Sequence, residues 1–99
     1  MTKPSLEDFK QLLRDNLEDL RREYRIASLC LFGSYVRDEQ HKHSDLDILV
    51  EFEEVPTLPK FITLERRLCE VTGIKVDLVS VRALKGEIGE RILQERVAL

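Results

Sequence analysis

No net positive charge, no clustered cysteines and no long apolar run are found in this chain, and each absence narrows what it can be. Sixteen basic residues against 19 acidic ones leave a formal charge of −3. A global positive field that would gather nucleic acid nonspecifically is thereby excluded, and long nucleic acid is not an expected main partner. The two cysteines, Cys30 and Cys69, stand alone in apolar surroundings without metal-ligand spacing. They read as packed, reduced thiols. No stretch approaches the ~18 apolar residues that cross a bilayer, and the start Met1-Thr2-Lys3-Pro4 has no apolar signal segment. A cytoplasmic protein away from membranes is expected. Internal repeats and low-complexity tracts are missing too, and 99 residues with 42% hydrophobic content suit one domain, 1–99, around one modest core.

What is present concentrates between Gly33 and Val50. Gly33-Ser34 is followed, after ten intervening residues, by Asp45-Leu46-Asp47 and then Ile48-Leu49-Val50. From Asp45 to Phe52 the pattern alternates, with Leu46, Ile48, Val50 and Phe52 on one face and Asp45, Asp47, Leu49 and Glu51 on the other. Asp45 and Asp47 therefore point the same way, roughly 6.6 Å apart along a strand. Carboxylates at that spacing can converge on Mg²⁺, a hard ion that takes oxygen ligands and completes its shell with water and phosphates. A third acid, Asp77, lies in the strand-like run Lys75-Val76-Asp77-Leu78-Val79. It reads either as a third ligand or general base, or as an acid paired with Lys75 or Arg82. Three neighbouring carboxylates repel unless a cation joins them.

Upstream, Ile26–Phe32 is apolar enough for a buried central strand that delivers Gly33 to the sheet edge. Gly33 allows a sharp turn and close backbone approach, and Ser34 is expected to open a short helix whose free amides favour anions. Arg37, one turn later, can reach the same anion with its planar fork, or can pair at the surface with Asp38 or Glu39. His41 and His43 read as exposed loop histidines, and Tyr35 as packed or as a hydroxyl open to self-modification. Arg21 and Arg22 read as a solvated helix face.

The remaining elements follow from periodicity. Leu6, Phe9, Leu12, Leu13, Leu17, Leu20 and Tyr24 recur at helical spacing after Ser5, which can cap with Asp8 three positions on. The prolines of Glu53–Pro59 mark a loop. Phe61, Leu64, Leu68 and Val71 give a second helix, stopped by Gly73, before the Asp77 strand. Leu84, Ile88 and Ile92 suggest a last helix, weakened by Gly86 and Gly89, ahead of the apolar ending Val97-Ala98-Leu99. The order is that of an α/β domain.

Gly-Ser, ten residues and Asp-x-Asp resemble the signature of the DNA polymerase beta nucleotidyltransferase superfamily, and the Ser44-Asp45-Leu46-Asp47-Ile48-Leu49-Val50 wording is similar to its minimal nucleotidyltransferase branch. The resemblance covers about residues 26–80. It implies a small mixed β-sheet with flanking helices and transfer of AMP from ATP to a protein hydroxyl, with Mg²⁺ held by Asp45, Asp47 and Asp77 and phosphates received by Gly33, Ser34 and Arg37. It also implies a partner, a HEPN-domain ribonuclease toxin whose tyrosine would be the acceptor, so that the chain acts as an antitoxin. The alternative is a noncatalytic antitoxin or interaction module that blocks its partner by binding. A homo-oligomer is compatible with either.

Overall fold

The computed structural model describes residues 4–99; the start Met1-Thr2-Lys3, read above for its missing signal segment, lies outside the described residues. Helix α1 spans Leu6–Tyr24 and begins with a complete capping box, in which the Ser5 side chain accepts from the Asp8 amide and the Asp8 side chain accepts from Ser5 N–H. Reciprocal caps of this kind satisfy amides that a helix start leaves without partners. Of the apolar stripe, Phe9, Leu13, Leu20 and Tyr24 are buried, while Leu12 stays exposed. The helix ends at Arg25, whose left-handed φ of 56° turns the chain directly into strand β1, Ile26–Phe32.

Strand β2, Leu46–Phe52, pairs antiparallel with β1, and β3, Val76–Ser80, lies parallel to β2 on the other side. The parallel pair needs a crossover, which α2, Leu58–Thr72, supplies between a Thr57 cap and a left-handed Gly73. Strand β4, Val97–Ala98, completes the sheet beside β1 in the order β3-β2-β1-β4. The architecture is therefore the expected small mixed sheet with helices packed on it.

The alternation foreseen in β2 sorts the two faces. Leu46, Ile48 and Val50 are fully buried and join Leu29 and Leu31 of β1, Val76 and Leu78 of β3, and the stripes of α1 and α2 in a single core. Leu64 and Leu68 of α2 are likewise sealed. The edge strand β3 is partly covered, because the Leu78 amide donates to Glu65 Oε2 of α2. Borrowed acceptors of this sort blunt an open edge.

Two expectations change. Residues 33–38 form consecutive turns rather than a short helix: Arg37 N–H returns to Gly33 O, but Asp38 takes a left-handed φ of 58° and ends any helical path. The last helix, α3, runs Gly86–Glu95 and begins after Leu84, not at it. Its buried position is Gly89, where a Cβ would stand 3.1 Å from the Leu84 backbone, and Ile88 is left 75% exposed. A helix that turns its bare glycine inward necessarily rotates the neighbouring isoleucine out.

Ile48 lies at the centre of the core, directly behind the strand's acidic face. Ile48→Ala should lower unfolding free energy by about 2–5 kcal/mol, the range for truncating a sealed aliphatic side chain. Urea unfolding checks this; a loss below ~1 kcal/mol would mean that the two helices do not clamp β2 as described.

Candidate active site

The register of three strands assembles the acids. Phe32 of β1 pairs with Asp47 of β2, and Asp47 pairs with Asp77 of β3. These residues form one row across the sheet on the face opposite Leu46 and Ile48. The row behind it, Cys30, Leu49 and Val79, is apolar, and Leu49 is buried. Asp45 precedes β2 by one residue and leans toward Lys75 Nζ, 3.9 Å away. Asp77 itself is exposed, between buried Val76 and Leu78. Neither Lys75 nor Arg82 forms an ion pair with Asp77 among the described residues, so pairing with either does not account for it.

Gly33 is required here twice over. Its φ of 82° belongs to the left-handed region, and a Cβ built on it would collide with Asp47 Oδ2 and stand 2.8 Å from Asp47 Cγ. The Asp47 carboxylate thus packs directly against the Gly33 backbone, which only the missing side chain permits. Ser34 follows in the turn, half-buried, with its carbonyl accepting from Glu39 N–H.

Electrostatically the site is crowded with one sign. The Asp47 carboxyl is pushed up to about 6 by its own burial, then by the charges of Asp77 and Asp45, with Glu95 adding to the effect and Arg37 opposing it. Among the described residues no three His, Cys, Asp or Glu side chains close into a ready metal cage. The chemistry of the three aspartates nevertheless fits a hard divalent cation: the donors are all carboxylate oxygens, and after burial the largest causes of the raised Asp47 value are the charges of Asp77 and Asp45, which a cation would offset.

Arg37 lies within reach of the turn but is held by acids. Its Nε donates to Glu39 at 2.8 Å and its Nη1 to Glu95 at 2.6 Å. These two bonds, Glu39 first, keep the guanidinium above its ordinary value. Glu95 was not foreseen as part of this site. It also accepts from Gly33 N–H at 3.2 Å, so the amide expected to face an anion faces a carboxylate. Sequence spacing gave no signal, since Glu95 is 62 positions from Gly33 and 58 from Arg37.

Other candidates take quieter places. His41 and His43 are exposed in a turn where His41 N–H donates to Ser44 Oγ. Tyr35 is half-buried, its ring edge-on to Phe9 at 5.4 Å. Cys30 and Cys69 are free thiols, each half-buried, and Sγ of Cys69 accepts from the Val76 amide. Arg22 pairs with Asp19 on the α1 surface. No described helix is long and apolar enough to cross a membrane.

Comparison with known proteins shows the family and the fold. The family model described as "Nucleotidyltransferase domain" matches residues 13–99. A protein adenylyltransferase MntA of Thermococcus cleftensis is 43% identical over 93 residues, covering 94% of each chain. The Shewanella oneidensis protein adenylyltransferase MntA is 31% identical over 85 residues, covering 86% of this chain and 57% of that one. A solved structure provisionally assigned as a minimal nucleotidyltransferase superposes with a TM-score of 0.81 and 33% identity over the full length of both chains. A chain from the complex of a tri-AMPylated Shewanella oneidensis HEPN toxin with its MNT antitoxin shares the fold at a TM-score of 0.64 and 22% identity, covering 90% of this chain and 70% of that one.

The raised Asp47 value gives a signed test in metal-free buffer. The folded chain holds this proton up to about pH 6, whereas an unfolded aspartate releases it near ~3.9. The group's contribution to stability is fully present below the unfolded value and is lost as pH rises through about 6. Asp47→Asn fixes a neutral side chain, so its stability relative to the parent should rise from pH 4 to pH 8 by about 1–2 kcal/mol, after discounting for solvent screening at a half-exposed group. Urea titrations of both proteins at pH 4, 6 and 8 check it. A stability difference independent of pH would refute the electrostatic account.

Proposed function

The chain belongs to the nucleotidyltransferase domain family, and from that premise we propose that it is a protein adenylyltransferase that moves AMP from ATP to a hydroxyl of a partner protein. The acceptor is a tyrosine of a HEPN-domain toxin, which the modification silences. Support for a protein acceptor comes from the adenylyltransferase relatives, and for a HEPN toxin from the AMPylated toxin in the structurally similar complex. The chemistry belongs to the site, not to the fold, since one fold serves many acceptors.

The observation that carries this reading is the row Phe32, Asp47, Asp77, with Gly33 packed against the Asp47 carboxylate. It puts the turn that opens at Gly33 beside the Asp47 carboxylate and leaves Asp77 exposed on the next strand, which supports reading the turn as the phosphate-receiving side. Asp45 and Asp47 would hold Mg²⁺ on the nucleotide side, with Asp77 completing the set toward the acceptor. The ion would supply charge neutralisation at the phosphates and a more acidic acceptor hydroxyl.

The chain's own residues divide the remaining work. Ser34 and Arg37, in the turn that Gly33 opens, receive the β and γ phosphates through hydroxyl and guanidinium donors. In that orientation the α-phosphorus would face Asp77. The acceptor oxygen forms a bond to that phosphorus, the bond to the bridging oxygen breaks, and pyrophosphate leaves with the electron pair. Asp77 is placed to take the hydroxyl proton or to hold the acceptor side of the metal set. Its exposure follows from the strand alternation that buries Val76 and Leu78, and it leaves the carboxylate open to an incoming protein substrate.

Replacing both Asp45 and Asp47 by Asn should abolish metal-dependent labelling of the partner by ATP while leaving the fold intact. Circular dichroism and labelled-nucleotide transfer test the two halves; undiminished transfer would place the active centre elsewhere. Asp77→Asn should separate binding from chemistry. Binding of a nonhydrolysable ATP analogue with Mg²⁺ should persist within a few fold, while turnover falls at least ~10²-fold, the scale for losing a positioned base or metal activation. Calorimetry beside single-turnover transfer decides, and normal turnover would remove Asp77 from the mechanism.

A further inference from the structure

Glu95 is the acid to which the transfer chemistry gives no role, and its placement is costly in three ways. It is the last residue of α3, where helix carbonyls present partial negative charge, and the final turn offers no basic residue. Its side chain is only 15% exposed. Its charge also adds to the field that already disfavours ionised Asp47. Specific donors offset these costs. Oε1 accepts from Arg37 Nη1 at 2.6 Å, and Oε2 accepts from Gly33 N–H at 3.2 Å. Strand β4 fixes the approach, because Val97 pairs with Leu31 and so brings Glu95 beside the end of β1.

We propose that Glu95 is a positioning residue for the nucleotide's phosphates: it clamps Arg37 to the Gly33 turn and presents the rest of the guanidinium to the triphosphate. This rests on the reading of Arg37 as a phosphate ligand. A guanidinium carries five N–H donors in a rigid fork, so one held at Nη1 still has others to give. The Nε donor now goes to Glu39, whose side chain is 64% exposed. An exposed pair of this kind is weak and exchangeable, and Glu39's place on the fork is the one a phosphate oxygen takes over. Glu95 stays. An arginine already fixed along one edge loses less conformational freedom on binding than a free one, which is how preorganisation raises affinity. Because Glu95 also occupies Gly33 N–H, the donors left to the phosphates at this turn are Ser34 and Arg37, and Gly33 contributes its shape.

Calorimetric titration with a nonhydrolysable ATP analogue and Mg²⁺ tests the clamp, alongside KM and kcat for transfer and a melting curve for each variant. Glu95→Gln should weaken analogue binding roughly five- to tenfold, the scale of a lost charge-assisted contact, and raise KM with kcat nearly unchanged. Glu95→Asp should fall between Gln and the parent. Glu39→Gln should bind within about twofold of the parent or tighter, since that exposed pair only holds a place. In an Arg37→Ala background, Glu95→Gln should add less than about twofold, because its effect passes through Arg37. If Arg37→Ala weakens binding but Glu95→Gln binds like the parent or more tightly, the positioning role is overturned and the phosphate reading survives. If Arg37→Ala itself binds like the parent, both fall. Should Glu95→Gln fail to fold, Arg37→Lys carries the test: it keeps the charge but lacks a fork to bridge Glu95 and phosphate, and parent-like binding would overturn the clamp.

Discussion

The arrangement of the candidate site depends on how closely Asp47 approaches the backbone of Gly33. The antiparallel pairing of Phe32 with Asp47 places the turn after β1 beside the start of β2, and the carboxylate then fills the volume that a side chain at position 33 would need. Glycine is compulsory there for shape and for its positive φ alike. The turn that follows brings Ser34 and Arg37 to the same edge, and the neighbouring β3 brings Asp77. One close approach thus sets the order of the site from β1 through β2 to β3, and the electrostatic crowding follows from it.

That crowding is tolerable because the sheet divides its labour by face. The core face carries Leu29, Leu31, Leu46, Ile48, Val50, Val76 and Leu78 beneath α1 and α2, so the strands are held from behind by apolar contacts insensitive to charge. The acids stand on the other face at the strand ends, where Asp77 is exposed and Asp45 and Asp47 are only half-buried. Lys75 attends to Asp45, and Arg37 lowers the cost at Asp47. A pair buried in mid-sheet would incur a far larger desolvation penalty. The position of the acids at the sheet's rim is therefore a condition of the fold as much as of the chemistry.

Local signals in the sequence reached far. Period-two alternation over 45–52 named the buried and acidic faces of β2, helical spacing named the stripes of α1 and α2, and Gly73 marked the end of α2. Local pattern alone marks Asp45, Asp47 and Asp77, and the register puts Asp47 and Asp77 side by side. What stayed hidden was long-range or too short to have a period. Strand β4 has two residues, less than one repeat of any pattern. The left-handed Asp38 that ends the turn after Ser34 is a backbone choice that composition does not announce. Ile88 matched a helical stripe, yet Gly89 decided which side of α3 faced inward. Glu95 belongs with these, since its meaning depends on β4 pairing with β1 across most of the chain.

The balance of charge at the site also bears on which form of the nucleotide it suits. Glu39, Glu95, Asp45, Asp47 and Asp77 face Arg37 and Lys75 as their named cationic neighbours, and Arg37 already has two carboxylates on its fork. A free triphosphate would bring further negative charge into that field and be repelled. Under the proposed function, the same triphosphate carrying a divalent cation would bring the positive charge that the aspartates lack, and displacing exposed Glu39 from Arg37 would leave a guanidinium edge for the distal phosphates. Binding would then relieve two like-charge conflicts together, one between the aspartates and one between Glu39 and Glu95. On the proposed function the metal–nucleotide complex would therefore suit the site better than either component alone, because each would neutralise what the other leaves exposed.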